Sequence, residues 1–237
     1  MVFTSLEKRV CILKASQQPG LRIGGSGNTT ANIDRGFMQY TGERVIPAHD
    51  GLPAQGNYAI HDLMYREFLV AAIGKTVIDV ACGCGHGSKM IAEQASQVFG
   101  YDISVEAVDF ARTHNSGQNI SYGVMDIRKL PHDDQSIDTV ISVEVFEHVS
   151  PVSDVILEVH RVLKPKGFWC FTTPRGERYP DHRIVPWHVK HYTRADLIDL
   201  LTPMFNIHIR ETGLEPDSSI RCSWPTFGNY SVICIKK

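Results

Sequence analysis

The stretch at 77–87 constrains the fold more than any other part of the sequence. It joins a short apolar run, Val77–Ala81, to a glycine-rich segment that reads CGCGHG at 82–87. A continuous apolar run of this length is typical of a strand buried on both faces of a parallel sheet. Glycines directly after such a strand let the chain turn sharply and let a ligand approach the main chain closely. The stretch therefore predicts a strand, a tight turn and then a helix whose free N–H groups face a ligand.

Strand-like and helix-like patterns alternate along the rest of the chain. Further strands are predicted at 97–102, 120–124, 137–143, 168–172, 206–211 and 231–235, and helices at 57–72, 88–96, 105–114, 153–163 and 194–201. Within 164–167, the KPKG segment is expected to end the fourth of these helices. Alternation at this spacing implies βαβ units, so we predict an α/β protein with a doubly wound, mostly parallel sheet.

The N-terminal segment differs in composition from the rest. Residues 1–36 carry five basic residues against Glu7 and Asp34, and 24–30 is rich in Gly, Ser, Asn and Thr. Such a composition is typical of flexible chain. We predict that residues 1–56 form an N-terminal arm or lid and that residues 57–237 form the main domain.

Bulk properties exclude several classes of protein. The 237 residues can bury a core without disulfides or a metal, and the formal net charge of −2 gives no general attraction to nucleic acid or anionic membranes. The six cysteines are scattered, as in reduced cytosolic proteins, and no apolar run reaches the length of a transmembrane helix. We therefore expect a cytoplasmic protein without membrane association.

An acidic residue ends the second predicted strand. Asp102 follows Gly83 by 19 residues. At that place a carboxylate accepts hydrogen bonds from both ribose hydroxyls of a bound nucleotide. The alternative is that Asp102 only caps the helix that begins near Ser104.

Other residues indicate which kind of nucleotide the predicted site binds. The glycines are spaced G-x-G-x-G after Asp79, rather than in the G-x-G-x-x-G pattern that holds pyrophosphate at a helix N-terminus. A carboxylate before the glycines suits a ligand with a cationic amino group. After the third strand, Asp126 is placed to accept a hydrogen bond from an adenine amino group, and Ile127 to pack on the ring.

These motifs together resemble the class I S-adenosylmethionine-dependent methyltransferases. The resemblance runs from about Thr41 to Thr173. It is carried by DVACGCGHG at 79–87, YDIS at 101–104, DTVISVEVFEHV at 138–149 and RVLKPKG at 161–167. It implies a Rossmann-like methyltransferase fold of seven strands, the last of them antiparallel. It also implies S-adenosylmethionine as the cofactor and S-adenosylhomocysteine as its product.

The resemblance further implies a role for each residue along the cofactor. It places Asp79, Gly83 and Gly85 at the methionine end of the cofactor, with Ala81 as a further contact and Val143 near the amino group. It places Asp102 and Ile103 at the ribose. It places Asp126 and Ile127 at the adenine.

Arg44 is a further candidate for the cofactor. It either clamps the carboxylate of the donor through two hydrogen bonds or anchors an anionic acceptor; the alternative is a surface ion pair with Glu43 or Glu67. The TGER segment at 41–44 also looks similar to methyltransferases that act on sugars, surface glycans or quinone-like metabolites.

Candidate catalytic residues follow the fourth strand. Methyl transfer from a sulfonium mainly requires alignment of the nucleophile, and a hydroxyl acceptor also gains about 10²–10⁴-fold from a positioned base. His148 is the first candidate base, with Glu144 orienting it or contacting the substrate. The alternative is that His148 packs the turn while Glu147 is solvated.

A second histidine-rich segment lies at 181–192. His188 and His191 are candidates for contact with the substrate or for a base. His182, His188 and His191 could also hold a metal, but no Cys or Glu stands at ligand spacing near them, and we predict no metal site.

We therefore predict a methyltransferase that acts on the oxygen or nitrogen of a small molecule, such as a sugar, a glycan intermediate or another metabolite. A nucleic-acid acceptor, reached by the basic arm, is disfavoured because the segment at 142–145 is not the N/D-P-P-Y-type loop common in base methylation. A nicotinamide-dependent oxidoreductase is disfavoured by the acid before the glycines. A non-catalytic nucleotide-binding module remains an alternative.

Overall fold

Seven strands form one mixed sheet in the computed structural model, which describes residues 45–46, 58–185, 187–212 and 228–237. The strands are β1 (Thr76–Val80), β2 (Gln97–Asp102), β3 (Ile120–Val124), β4 (Ile137–Val143), β5 (Leu163–Pro174), β6 (Phe205–Thr212) and β7 (Asn229–Lys236). The α-helices are α1 (Tyr58–Phe68), α2 (His86–Ala92), α3 (Val105–His114), α4 (Val152–Val162) and α5 (Arg194–Leu201). Short 3₁₀ helices lie at Leu69–Ala72, Phe146–His148 and His182–Ile184.

The strand order is β3-β2-β1-β4-β5-β7-β6. The first five strands pair in parallel, whereas β7 runs antiparallel to both β5 and β6. The predicted doubly wound fold with an antiparallel last strand is therefore confirmed.

Several predicted boundaries were wrong, and two of them bear on the site and the sheet. The KPKG segment at 164–167 belongs to β5, which begins at Leu163 and has an irregular register against β4. The helix after β1 begins at His86, two residues before the predicted start at Ser88, because Gly85 in the left-handed conformation ends the turn early.

Two apolar clusters cover the two faces of the sheet. One packs α4 and α5 against side chains such as Trp169 and Phe171, and the other packs α1 and α2 against side chains such as Val77 and Cys170. Neighbouring residues of one strand therefore enter different clusters, as the alternation of side chains along a strand requires. This two-sided burial explains why the central strands are continuously apolar.

The architecture fixes where a ligand can bind. The strand order reverses between β1 and β4, which lie side by side with their carboxyl ends at the same edge of the sheet. Crossover helices leave this point in opposite directions, so a crevice opens there. The glycine turn after β1 and the segment after β4 both border this crevice.

The predicted N-terminal arm and lid lie outside the described residues, apart from Val45 and Ile46. The boundary at residue 57 therefore stays a prediction. Among the described helices, none combines the length and the apolar character that crossing a bilayer requires.

Gly85 is expected to be required by close packing as well as by conformation. It has φ +80°, and a Cβ there would lie 2.7 Å from Tyr122 Oη and 2.8 Å from Ala111 Cβ. Gly85→Ala should lower the free energy of unfolding in urea by about 2–4 kcal/mol, from the left-handed backbone and the steric overlap together. Gly74→Ala is the matched control, because Gly74 has φ +66° and no atom within 4 Å of the added Cβ. Equal losses in the two variants would show that packing at Gly85 is unimportant.

Candidate functional site

A cavity of about 490 Å³ opens at the carboxyl edge of the sheet. Of the predicted cofactor residues, six line it: Ala81, Gly83, Asp102, Ile103, Asp126 and Val143. Glu144 and His148, two of the predicted catalytic residues, line the same cavity. Its volume is typical of small-molecule sites. The predicted donor and acceptor residues therefore share one chamber.

The glycine turn is tied to the neighbouring strand and helix by hydrogen bonds. Cys82 N donates to Tyr101 O at 2.9 Å, and Gly83 N donates to Asp102 Oδ2 at 2.8 Å. Asn115 Nδ2, which the sequence did not single out, donates to Cys84 O at 2.7 Å. Ala81 has φ +54°, a conformation that costs free energy in a residue with a side chain and that often marks functional sites.

Asp102 has two structural hydrogen bonds and remains able to bind a ligand. Its Oδ1 accepts from Ser104 N at 2.9 Å and its Oδ2 from Gly83 N. The cap of α3 is Ser104 itself, whose side chain accepts from Ala107 N, so capping is not the role of Asp102. A carboxylate has about four acceptor positions, which leaves room for ribose hydroxyls. Beside it, Ile103 is 72% exposed and offers an apolar surface to the cavity.

The predicted adenine residues are separated by the fold. Asp126 lines the cavity and is held by Arg128, whose Nη2 donates to its Oδ2 at 2.6 Å. The hydrogen bonds from Arg128 lower the pKa of Asp126. Ile127 is half-buried and packs against the main core rather than lining the cavity. Arg128, which was not predicted from the sequence, also lines the cavity. A group that binds at Asp126 would therefore lie beside its guanidinium.

Asp79 lies behind the glycine turn and is fully buried. Tyr65 Oη donates to its Oδ1 at 3.1 Å, and Ser88 Oγ donates to its Oδ2 at 2.6 Å. Burial raises the pKa of Asp79 to about 7, although both hydrogen bonds oppose the shift. Asp79 and Gly85 do not line the cavity, whereas Tyr65 does. A direct contact of Asp79 with the cofactor stays a prediction.

Two histidines that the sequence did not assign to the site also line the cavity. Burial lowers the pKa of His61 to about 3 and that of His86 to about 4, so both rings are neutral at physiological pH. His86 lies among the rings of Tyr58, His61 and Tyr65. Both of its ring nitrogens are buried and have no hydrogen-bond partner among the described residues. They are therefore available to a ligand.

Glu144 and Glu147 form the acidic part of the acceptor side. Glu147 is 1% exposed, so the alternative that it is solvated was wrong; the 3₁₀ helix Phe146–His148 turns it inward, where Thr173 Oγ1 donates to its Oε2 at 3.0 Å. Glu144 has φ +55°, and its Oε1 is buried without a hydrogen-bond partner among the described residues. Burial, and then the nearby charge of Glu147, raise the pKa of Glu144 to about 8.

The predicted catalytic histidines meet beside these carboxylates. The rings of His148 and His188 are 4.7 Å apart between centroids, and His188 Nδ1 lies 2.6 Å from His191 Nε2. His148 Nε2 lies 3.7 Å from Glu147 Oε1. His182 is more distant, with its ring centroid 6.4 Å from that of His191. The structure thus brings His148, His188 and His191 together with a buried glutamate, whereas Arg44 lies outside the described residues.

The strand order, with its antiparallel β7, is that of the Rossmann-like methyltransferase fold. Residues 78–171 match the family model described as a methyltransferase domain.

Two curated proteins and one solved structure show how far the similarity to known methyltransferases extends. A Mycolicibacterium smegmatis protein, named a probable S-adenosylmethionine-dependent methyltransferase, is 32% identical over 69% of this chain and 63% of its own. A Coxiella burnetii ubiquinone biosynthesis O-methyltransferase is 35% identical over 47% of this chain and 48% of its own. The chain thus spans less than two thirds of either relative. The S-adenosylmethionine-dependent methyltransferase of Mesorhizobium loti has the same fold, with a TM-score of 0.61 at 22% identity over 73% of this chain and 95% of its own.

Asp102→Ala is expected to remove binding of S-adenosylhomocysteine. Loss of two hydrogen bonds from ribose hydroxyls to a charged acceptor, at about 1.5–3 kcal/mol each, should weaken binding at least about a hundredfold. Isothermal titration and the ligand-induced rise in Tm measure this. Asp109→Ala, which removes an exposed acid of α3, should bind as the parent protein does. Undiminished binding by a folded Asp102→Ala protein would refute the ribose assignment.

Asp79→Asn is expected to change how stability depends on pH. The folded protein holds the Asp79 proton up to about pH 7, whereas the unfolded chain releases it near the ordinary aspartate pKa of 3.8, so the parent loses stability as pH rises through this window. Asparagine does not titrate. The free energy of unfolding of Asp79→Asn minus that of the parent should therefore rise by about 2–3 kcal/mol between pH 5 and pH 8. Urea denaturation at both pH values measures it, and a pH-independent difference would contradict the burial argument.

Proposed function

We propose that the protein transfers the methyl group of S-adenosylmethionine to a hydroxyl group of a small molecule. One observation carries this proposal: the donor residues and the Glu144–His148 segment line a single cavity. A group bound near His148 therefore shares the chamber with a nucleotide held at Asp102. In-line transfer requires that the donor methyl and the acceptor atom meet in this way.

The donor half of the cavity suits an adenosine that carries a cationic sulfur. Asp102 offers acceptor positions for the ribose, and the exposed side chain of Ile103 offers an apolar surface to the base. The turn after β1 lets the main chain approach the ligand because Gly83 has no side chain. Neutral His61 and His86 add no positive charge that would repel the sulfonium.

The acceptor half of the cavity favours oxygen as the methylated atom. A hydroxyl is a weak nucleophile until its proton is removed or its oxygen acquires negative charge, and Glu144 and His148 are the polar groups at this place. The Coxiella burnetii relative is by name an O-methyltransferase. A cavity of about 490 Å³ has space beside the donor for a small acceptor, such as a sugar, a glycan intermediate or a quinone-like metabolite.

Methyl-labelled donor tests this function directly. The full chain is incubated with labelled S-adenosylmethionine and fractionated small-molecule extract, and labelled products are identified by mass spectrometry. We expect label in a methyl ether. Label in nucleic acid would refute the proposed acceptor class, and donor binding without turnover on any fraction would favour the non-catalytic module.

His148→Ala is expected to separate turnover from donor binding. Because His148 lies on the acceptor side, kcat should fall by about 10²-fold or more while the Kd for S-adenosylhomocysteine changes less than about twofold. His208→Ala, at an exposed position of β6, is the matched control and should leave both kcat and the Kd for S-adenosylhomocysteine unchanged. Equal loss of binding and turnover in His148→Ala would instead indicate a packing role.

A further inference from the structure

We propose that Glu147, His148 and His188, with Glu144 as an additional carboxylate, bind a divalent transition-metal ion that holds the acceptor hydroxyl beside the methyl donor. One ligand-type atom from each of the first three residues lies within 4.8 Å of the others. Two ligands about 2.1 Å from a shared ion lie roughly 3–4 Å apart, which small rotations of these side chains would reach. The site itself follows from this geometry; the role at the acceptor rests on the proposed function.

Hydrogen bonds fix which nitrogen of His188 carries a lone pair. A carbonyl oxygen only accepts, so His191 Nδ1, 2.7 Å from Tyr179 O, must carry a proton. The neutral imidazole carries one proton, so in that form His191 Nε2 accepts from His188 Nδ1 at 2.6 Å. His188 Nε2 is then the nitrogen with the lone pair that a metal needs. Outer hydrogen bonds of this kind orient metal-binding histidines in many proteins.

The same argument orients the other two ligands. His148 Nδ1 lies 3.2 Å from Trp187 O, so it is the protonated nitrogen, and Nε2 faces Glu147 Oε1 at 3.7 Å. Glu147 Oε2 accepts from Thr173 Oγ1, which turns Oε1 toward His148. The main-chain N–H of Val189 donates to Glu147 O at 2.7 Å and ties the His188 segment to the Glu147 turn. The supporting hydrogen bonds therefore form without a metal, and Glu147 Oε1 faces His148 Nε2 at 3.7 Å.

Glu144 provides independent evidence for a bound cation. Its Oε1 is buried and has no hydrogen-bond partner among the described residues, beside the second buried carboxylate of Glu147. Buried polar atoms without partners are rare, and an ion is one of their explanations. A histidine acting only as a base does not require two neighbouring glutamates and a second oriented histidine. A cation would offset the repulsion between the two carboxylates.

The ligand types indicate the class of metal. Imidazole nitrogens suit zinc, iron and cobalt, carboxylate oxygens also suit manganese, and neither calcium nor magnesium favours two histidines. Three or four protein ligands leave at least one open position for a catalytic role. Because Glu144 and His148 line the cavity, that position would be accessible to an acceptor.

The metal would act as a Lewis acid in the proposed transfer. A hydroxyl bound at the open position has a lowered pKa and releases its proton to water. The oxygen then attacks the donor methyl; the O–C bond forms as the S–C bond breaks, and the electron pair of that bond remains on sulfur to give S-adenosylhomocysteine. No electron is exchanged with the metal, so no oxidant or reductant is required.

Metal titration of the full chain tests the site without any methyl acceptor. The protein is treated with chelator, dialysed and titrated with Mn²⁺ and, separately, with Zn²⁺ by isothermal calorimetry. We expect one ion per chain, with affinity lowered at least tenfold in both Glu147→Gln and His188→Ala. His208→Ala, which removes an exposed histidine of β6, should bind the ion as the parent does. Thermal unfolding verifies that each variant is folded. Absent saturable binding, or equal affinity in the parent and both ligand variants, would overturn the site.

A second measurement separates the role of the metal from the proposed function. Binding of S-adenosylhomocysteine and turnover of labelled donor are measured in chelator-treated protein with and without Mn²⁺ or Zn²⁺. We expect the donor to bind in both states and turnover to require the metal. Turnover that is equal without metal would overturn the role at the acceptor. Absence of donor binding would overturn the proposed function instead, while the calorimetric titration would still decide whether the metal site exists.

Discussion

The contact between Gly83 N and Asp102 Oδ2, at 2.8 Å, is the interaction on which the rest of the site depends. It joins the turn after β1 to the end of β2, so the two segments that form the donor half of the cavity move as one unit. The bond from Ser104 N holds the other oxygen of the same carboxylate. A carboxylate that accepts from two main-chain N–H groups is held rigidly. The carboxylate is therefore both part of the scaffold and a wall of the cavity.

Burial of charge has different consequences at the two ends of the cavity. Asp102 and Asp126 are both held by hydrogen-bond donors, and the hydrogen bonds from Arg128 lower the pKa of Asp126. Asp79 is fully buried and Glu144 is half-buried with a buried Oε1; desolvation raises the pKa of both, so each costs stability when it is ionised. A cationic ligand near either group would recover that free energy on binding. Without a cationic ligand, the ionised carboxylate at each place therefore raises the free energy of the folded protein. Shifted pKa values of this kind are common at functional sites.

The fold could largely be predicted from the sequence because its signals are local. Strands at 97–102, 120–124 and 137–143, and the helix at 105–114, lie where the apolar patterns indicate. The start of β5 was misplaced because Leu163 and Phe168, on either side of the KPKG segment, both pair with β4, so the strand continues through the segment as an irregularity in register. Among the predicted site residues, Asp102 ends β2 and Ile103 follows it directly, and both line the cavity. His61, His86 and Arg128 were missed because each reaches the cavity only when separate elements pack together.

The sequence by itself determined the glycine turn, the acids that follow successive strands and the parallel sheet that brings strand ends to one edge. Apolar periodicity and backbone conformation depend on neighbours in the chain, so these features are readable without the fold. Only the tertiary structure decided that Glu147 points inward and that His148 meets His188 from a distant segment. Burial and hydrogen-bond direction depend on which segments pack against one another, and the order of residues along the chain does not encode that directly.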